Sequence, residues 1–214
     1  MDAGLIASAF DEFNTTKGNG PTAEDGSILT GHMYHNAYSR VLATRYPASL
    51  LEVGVTRGRS IAAWKKLLPE AQIAGIDKVD PLTIDDGYVG LFPRAPDTST
   101  WDLFVGDATR RSFTSTIPNT YDIIVDDTNA TWEERCAIFD NLIDKCNNIY
   151  VLESIQGARH ERFIRNMVKA KGYTNILTFD SRLQGMIAYS GGPEESFTYM
   201  MMVVIKDDSV QLAG

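Results

Sequence analysis

Carboxylates recur at the ends of short apolar runs in this chain: Glu52 in "SLLEVGV", Asp77 in "AQIAGID", Asp107 in "WDLFVGD", Asp126 and Asp127 in "YDIIVDD", and Glu153 in "NNIYVLES". A carboxylate accepts hydrogen bonds from hydroxyls and ligates hard cations, so such residues can hold a polyol, a metal ion or a cationic ligand. Taken singly, an acid after an apolar run is often only a turn former or a helix cap. Gathered in one place, these acids would repel each other unless a cation or hydroxyl donors shared the site. Two glycines accompany the first acid in "EVGVTRGRS", where Gly54 and Gly58 precede Ser60 and the amphipathic "IAAWKKLL". The third glycine of the dinucleotide fingerprint G-x-G-x-x-G is missing. The stretch still suits a ligand that touches main chain.

The acids converge only if the runs that carry them lie side by side and point the same way. Each run is continuously apolar rather than alternating, which implies a strand buried on both faces, as in a parallel sheet covered by helices. Helical patterns fall between the runs: "SIAAWKKLL" before Pro69, "TWEERCAIFDNLIDKC", and "ARHERFIRNMVKAKGY" around Gly172. The alternation predicts an α/β, Rossmann-like, doubly wound and mostly parallel sheet of about seven strands. In the tail, "TNILTFDS", "GMIAYS" and "FTYMMMVVIKD" follow one another without a helix, so the last strand is expected to be antiparallel. In such sheets ligands bind outside the carboxyl ends of the strands, where the strand order reverses. Residues 1–48 do not follow this rhythm and read as an N-terminal lid or substrate-side extension ahead of a ligand-binding domain over 49–214. They comprise a short helical "DAGLIASAFDEF", a turn-rich "NTTKGNGPTAEDGS" and a helical "GHMYHNAYSRVLATRY".

With 214 residues, 43% hydrophobic and 22% charged, the chain has the composition of one folded soluble domain. It has no apolar run near the roughly 20 residues that span a membrane. A net charge of −8 argues against a nucleic-acid partner, whose phosphates demand many Lys and Arg contacts. A small-molecule partner fits better, and a homo-oligomer is allowed. Cys136 and Cys146 are expected on one helix as buried thiols, without the spacing of a zinc site or a disulfide framework. The start "MDAGLIASAF" does not read as a signal peptide, which points to the cytoplasm.

From Ser49 onward these motifs resemble those of the class I S-adenosylmethionine-dependent methyltransferases. The resemblance makes "EVGVTRGRS", with Glu52, Gly54, Gly58 and Ser60, the motif at the amino-acid part of the cofactor. It makes Asp77 the ribose-binding acid, "VGDA" with Asp107 the adenine-side motif, and "YDIIVDD" with Asp126 the fourth-strand motif. A narrower resemblance, to macrolide sugar O-methyltransferases and cephalosporin hydroxylase-like relatives, rests on "HMYHNAY", which supplies His32, Tyr34 and Tyr38 as His-x-Tyr-x-x-x-Tyr. It places Tyr34 with the cofactor; read as packing alone, Tyr34 and Tyr38 are stacked core residues on one helix face. In those relatives the fourth strand ends in Asp-Asp-Gly-Ser-His and the fifth in Glu-Asp, which supply magnesium ligands and a base. Here the chain reads "DDTNA" and Glu153-Ser154. The resemblance thus implies Mg²⁺ on Asp127 and Glu153, with Ala130 in the base position and Ser154 replacing a ligand. His32 then becomes the expected base, ahead of His35 and His160, with Asp127 beside it in catalysis.

What the resemblance implies is O-methylation of a small hydroxylated acceptor, of sugar or natural-product type. Base methylation of nucleic acids is disfavoured, because "VDDTNATW" lacks the Asp/Asn-Pro-Pro-aromatic motif. Two alternatives stand beside it: a non-catalytic cofactor-binding protein on the same fold, and another enzyme on that scaffold, such as a hydroxylase-like or polyamine-transfer activity.

Overall fold

The apolar runs form a seven-stranded sheet in the order β3-β2-β1-β4-β5-β7-β6. In the computed structural model, which describes residues 1–13, 15, 17, 32–44, 46–81, 83, 100–180 and 199–207, the strands are β1 Ser49–Val53, β2 Gln72–Asp77, β3 Asp102–Val105, β4 Tyr121–Asp126, β5 Cys146–Gln156, β6 Ile176–Asp180 and β7 Tyr199–Ile205. Strands β1 to β5 pair in parallel. Strand β7 runs antiparallel to both β5 and β6. The last strand, β7, is therefore antiparallel as expected, and it is inserted between β5 and β6. The expected "GMIAYS" strand lies outside the described residues.

The helices are α1 Ala3–Glu12, α2 His35–Thr44, α3 Arg59–Leu67, a four-residue α4 Arg111–Thr114, α5 Trp132–Leu142 and α6 Gly157–Ala170. Consecutive strand residues face opposite layers: Leu50 packs with Ile6, Phe10, Tyr38 and Trp64, whereas Leu51 packs with Ile124, Phe139, Tyr150 and Ile164. This two-sided burial is what a continuous apolar run in a parallel sheet requires. Helices α1 and α2, from the first 48 residues, contribute buried side chains to the same core as β1 and α3. Cys136 and Cys146 do not share a helix. The helix ends at Leu142, a 3₁₀ turn covers Ile143–Lys145, and Cys146 opens β5. Both thiols are free; Cys146 is buried and Cys136 only half-buried. No helix among the described residues is long and apolar enough to cross a membrane.

Candidate active site

Strand order reverses between β1 and β4, and the site is built at their carboxyl ends. Backbone bonds tie the end of β1 to both neighbours: the Gly54 N–H donates to the Ile76 carbonyl of β2 at 2.9 Å, and the Asp127 N–H, just past β4, to the Val53 carbonyl at 2.9 Å. Gly54 has φ +88°, and a Cβ there would lie 2.6 Å from the Asp127 carbonyl oxygen. The first glycine is thus required by the neighbouring strand end. Gly58, at φ +76°, is the N-cap of α3, and Ser60 sits one residue inside that helix instead of capping it.

A cavity of about 320 Å³ opens over the ends of β1, β2, β3 and β4; Gly54, Thr56, Asp77, Ala108, Asp127 and Ile138 are among its walls. Asp77 stands in that wall with its carboxylate partly engaged. The Thr56 N–H donates to one oxygen at 2.7 Å and the Val79 N–H to the other at 3.1 Å. Thr56 pays for this contact with a left-handed backbone, φ +54°. A second cleft, of about 470 Å³, shares Asn129 and Ala130 with the first and reaches Trp132, Ser154, Gln156 and His160.

Not all the expected cofactor acids face the cavity. Glu52 is buried, with one oxygen accepting from Ser60 Oγ at 2.8 Å and the other from the Trp64 indole N–H at 2.8 Å; it ties β1 to α3. Asp107 folds back on its own turn, accepting from the Thr109 N–H at 3.0 Å and its hydroxyl at 2.7 Å. Those bonds hold its carboxyl below the ordinary range. Asp126 alternates to the other face of β4, where it is buried, accepts from Thr128 and lies 3.8 Å from Arg135. The neighbouring Asp127 keeps its side chain about a quarter exposed, at 24%.

Asp127 and Glu153 are brought together, as the metal reading needs, but around a side chain the motifs did not single out. The Lys17 ammonium lies 2.7 Å from Asp127 Oδ2, 2.5 Å from Glu153 Oε2 and 3.3 Å from Glu52 Oε1. Tyr38 Oη donates to the other Glu153 oxygen, and Ser154 Oγ donates to Asp127 Oδ1 at 3.0 Å. Burial pushes Glu153 up to about 8, a rise that Lys17 opposes. Asp127 is also raised by burial, yet Lys17 overrides this and holds it below the usual carboxylate range. Burial lowers Lys17, but the three acids outweigh that and keep it firmly protonated.

Mg²⁺ wants about six oxygens in near-octahedral array. Here every Asp127 and Glu153 oxygen already accepts from a protein donor, one of them a cation. Among the described residues no group of three or more His, Cys, Asp or Glu side chains is placed to hold a metal ion. As arranged, these residues do not fit Mg²⁺.

Tyr34 and Tyr38 are both core and site. Tyr38 reaches Glu153, while Tyr34 Oη accepts the Ser154 N–H at 2.9 Å and so fixes Ser154 in its left-handed turn, φ +56°. His32 packs edge-on against Tyr34, 5.2 Å between ring centres. Burial, only partly offset by Asp127, drops its pKa to about 4. Arg135 completes the frame from α5: its guanidinium, 1% exposed, donates to the carbonyls of Glu153 at 2.8 Å and of Thr128. Sequence reasoning passed over Lys17 and Arg135 alike. Arg135 carried one signal, its place at the first turn of the helix that follows the Asp-Asp pair.

No protein-family model matches the sequence, and neither does any curated protein. Among solved structures, the mycinamycin-pathway methyltransferase MycE, in complex with Mg, SAH and mycinamycin VI, superposes with a TM-score of 0.52 at 21% identity, over 70% of this chain and 39% of its own. The chain thus spans well under half the length of that protein. An S-adenosylmethionine-dependent methyltransferase from Archaeoglobus fulgidus gives 0.54 at 10% identity, over 83% of this chain and 95% of its own. Spermidine synthase from Thermotoga maritima gives 0.54 at 15% identity, over 86% and 63%. The fold is that of the class I S-adenosylmethionine-dependent methyltransferases, a scaffold shared with this spermidine synthase.

Proposed function

We propose that the chain is an S-adenosylmethionine-dependent methyltransferase that methylates a hydroxyl of a small molecule. One observation carries the reading: Asp77, Gly54 and Asp127, from the ends of three adjacent parallel strands, face a single cavity at the point where strand order reverses. When bound, the cofactor supplies an electrophilic methyl group on a sulfonium. Asp77 is the acceptor for its ribose hydroxyls, and the bent main chain at Gly54 to Gly58 accommodates its amino-acid part. The cleft over Ser154, Trp132 and His160 adjoins this cavity and is where an acceptor molecule enters.

Methyl transfer then needs the acceptor oxygen held in line and its proton removed. We assign this base role to His32: burial keeps its ring neutral at pH 7, and its coupling to Asp127 favours the imidazolium as the proton arrives. Magnesium is left out of the reading, because every oxygen of Asp127 and Glu153 already accepts from a protein donor and the Lys17 ammonium stands between the two acids.

The test is transfer of a radiolabelled methyl group from S-adenosylmethionine to a panel of small hydroxylated acceptors. Label is expected in at least one acceptor and should vanish in His32→Ala while cofactor still binds. Tight cofactor binding with no transfer to any of them would make the chain a binding protein on this fold.

A further inference from the structure

We propose that Lys17 is the resident cation of this site, occupying with its own ammonium the position between Asp127 and Glu153 that a divalent metal ion would otherwise take. Its meaning for methyl transfer rests on the methyltransferase reading above.

Geometry carries the inference. The side chain is 2% exposed and comes from a segment 110 and 136 residues away from the two acids it joins. An ammonium has three protons. Asp127 and Glu153 take two at 2.7 and 2.5 Å, and Glu52 lies on the third at 3.3 Å. Glu52 itself is anchored by Ser60 and Trp64, so the third partner belongs to the sheet and helix frame and not to a mobile group. Three acids this close at one sheet edge, two of them fully buried, call for a positive charge among them. The chain supplies that charge itself, and the residues that differ from a metal-holding set follow. Ser154 now donates a hydrogen bond to Asp127 instead of ligating, and Tyr38 closes the last Glu153 oxygen.

Two consequences follow. Lys17 has no proton left for an acceptor molecule, so it is a positioning residue: it fixes Asp127 at the mouth of the cavity and neutralises the acids behind it. It also couples the N-terminal segment to the site, because the same stretch places the Tyr34 N–H on the Lys17 carbonyl at 2.9 Å.

Mn²⁺, followed by the loss of its free-ion electron paramagnetic resonance signal, is the probe. The wild-type chain should leave Mn²⁺ free. Lys17→Ala should take up one Mn²⁺ at least about 100-fold more tightly than wild type, the scale of an unmasked buried charge, and Asp127→Asn added to it should abolish the uptake. A melting curve of Lys17→Ala establishes that it is folded. Stoichiometric Mn²⁺ uptake by the wild-type chain that Asp127→Asn removes would overturn the proposal, and this arm needs no Lys17 variant. A folded Lys17→Ala that ignores Mn²⁺ would overturn it too. Calorimetric titration of the wild type with S-adenosylmethionine separates the two readings: failure to bind cofactor strikes the methyltransferase assignment, while the Mn²⁺ result judges Lys17.

Discussion

Both oxygens of Glu52 accept from protein donors, so this residue serves the site by holding β1 against α3 rather than by touching a ligand. Glu52→Gln would set an amide NH₂ either against Lys17 and Ser60 or against the Trp64 indole N–H, all of them donors to Glu52. The expected loss is about 1–3 kcal/mol of stability, the cost of a buried donor left without an acceptor, read from urea unfolding. Glu52 was legible as a site residue from its place before two glycines, but its partners were not. Lys17 was not legible at all. A lysine in "NTTKGNG" reads as an exposed loop residue, since lysine is rarely buried without a partner, and its partners lie across the whole fold. The Asp127 and Glu153 pair was readable because both acids close apolar runs in the sequence, although β5 continues three residues past Glu153; that a cation belongs between them follows from charge repulsion, but not which cation.

The loop from β4 to α5 forms one wall of both clefts, and α5 is the element that sets it. Its start is a capping box: Thr131 Oγ1 accepts the Glu134 N–H, and the Glu134 carboxylate accepts the Thr131 N–H at 2.8 Å. Thr131→Ala should therefore cost about 1 kcal/mol in chemical unfolding. Gly54→Ala is the sharper change, because it demands a left-handed backbone and drives a Cβ into the Asp127 carbonyl. It should destabilise by about 1–3 kcal/mol. Cofactor affinity should fall with it, measured at a temperature where the variant is folded. Elements of this kind were the most readable part of the molecule, since continuous apolar runs with acidic ends gave β1 to β5 and helical periodicity gave α3, α5 and α6. The end of α5 was misread because the apolar spacing of "LIDKC" continues past Leu142, although the chain there tightens into a 3₁₀ turn and enters β5. Four-residue α4 left no periodicity to read.

For the whole molecule, the sheet order and two-sided burial place the acids at one edge, and the same burial makes stability depend on pH. His160 is buried, its Nδ1 accepts the Gln156 N–H at 3.3 Å, and burial with Arg135 nearby lowers its pKa to about 4 from an ordinary 6.5. Its depressed value means the unfolded chain binds more protons between pH 6.5 and 4. The contribution of His160 to stability is therefore complete above about 6.5 and lost as pH falls toward 4. Glu153, raised to about 8, acts in the opposite sense, since its stabilising share is lost as pH rises through 8. The clean measurement is thus a difference. The stability gap between wild type and His160→Gln, from urea midpoints, should narrow between pH 7 and pH 5; a gap that widens would reverse the assignment.

Calorimetric titration of wild type and Asp77→Ala decides whether this fold binds S-adenosylmethionine across the ends of β1 and β2. The wild type should bind one cofactor per chain. The variant should bind more than tenfold more weakly, because about 1.5–3 kcal/mol of charge-assisted hydrogen bonding to the ribose is removed. Asp77→Asn, which retains one carbonyl acceptor for the Thr56 N–H, should fall between the two. Equal affinity in all three proteins, or no binding by the wild type, would contradict that mode of binding.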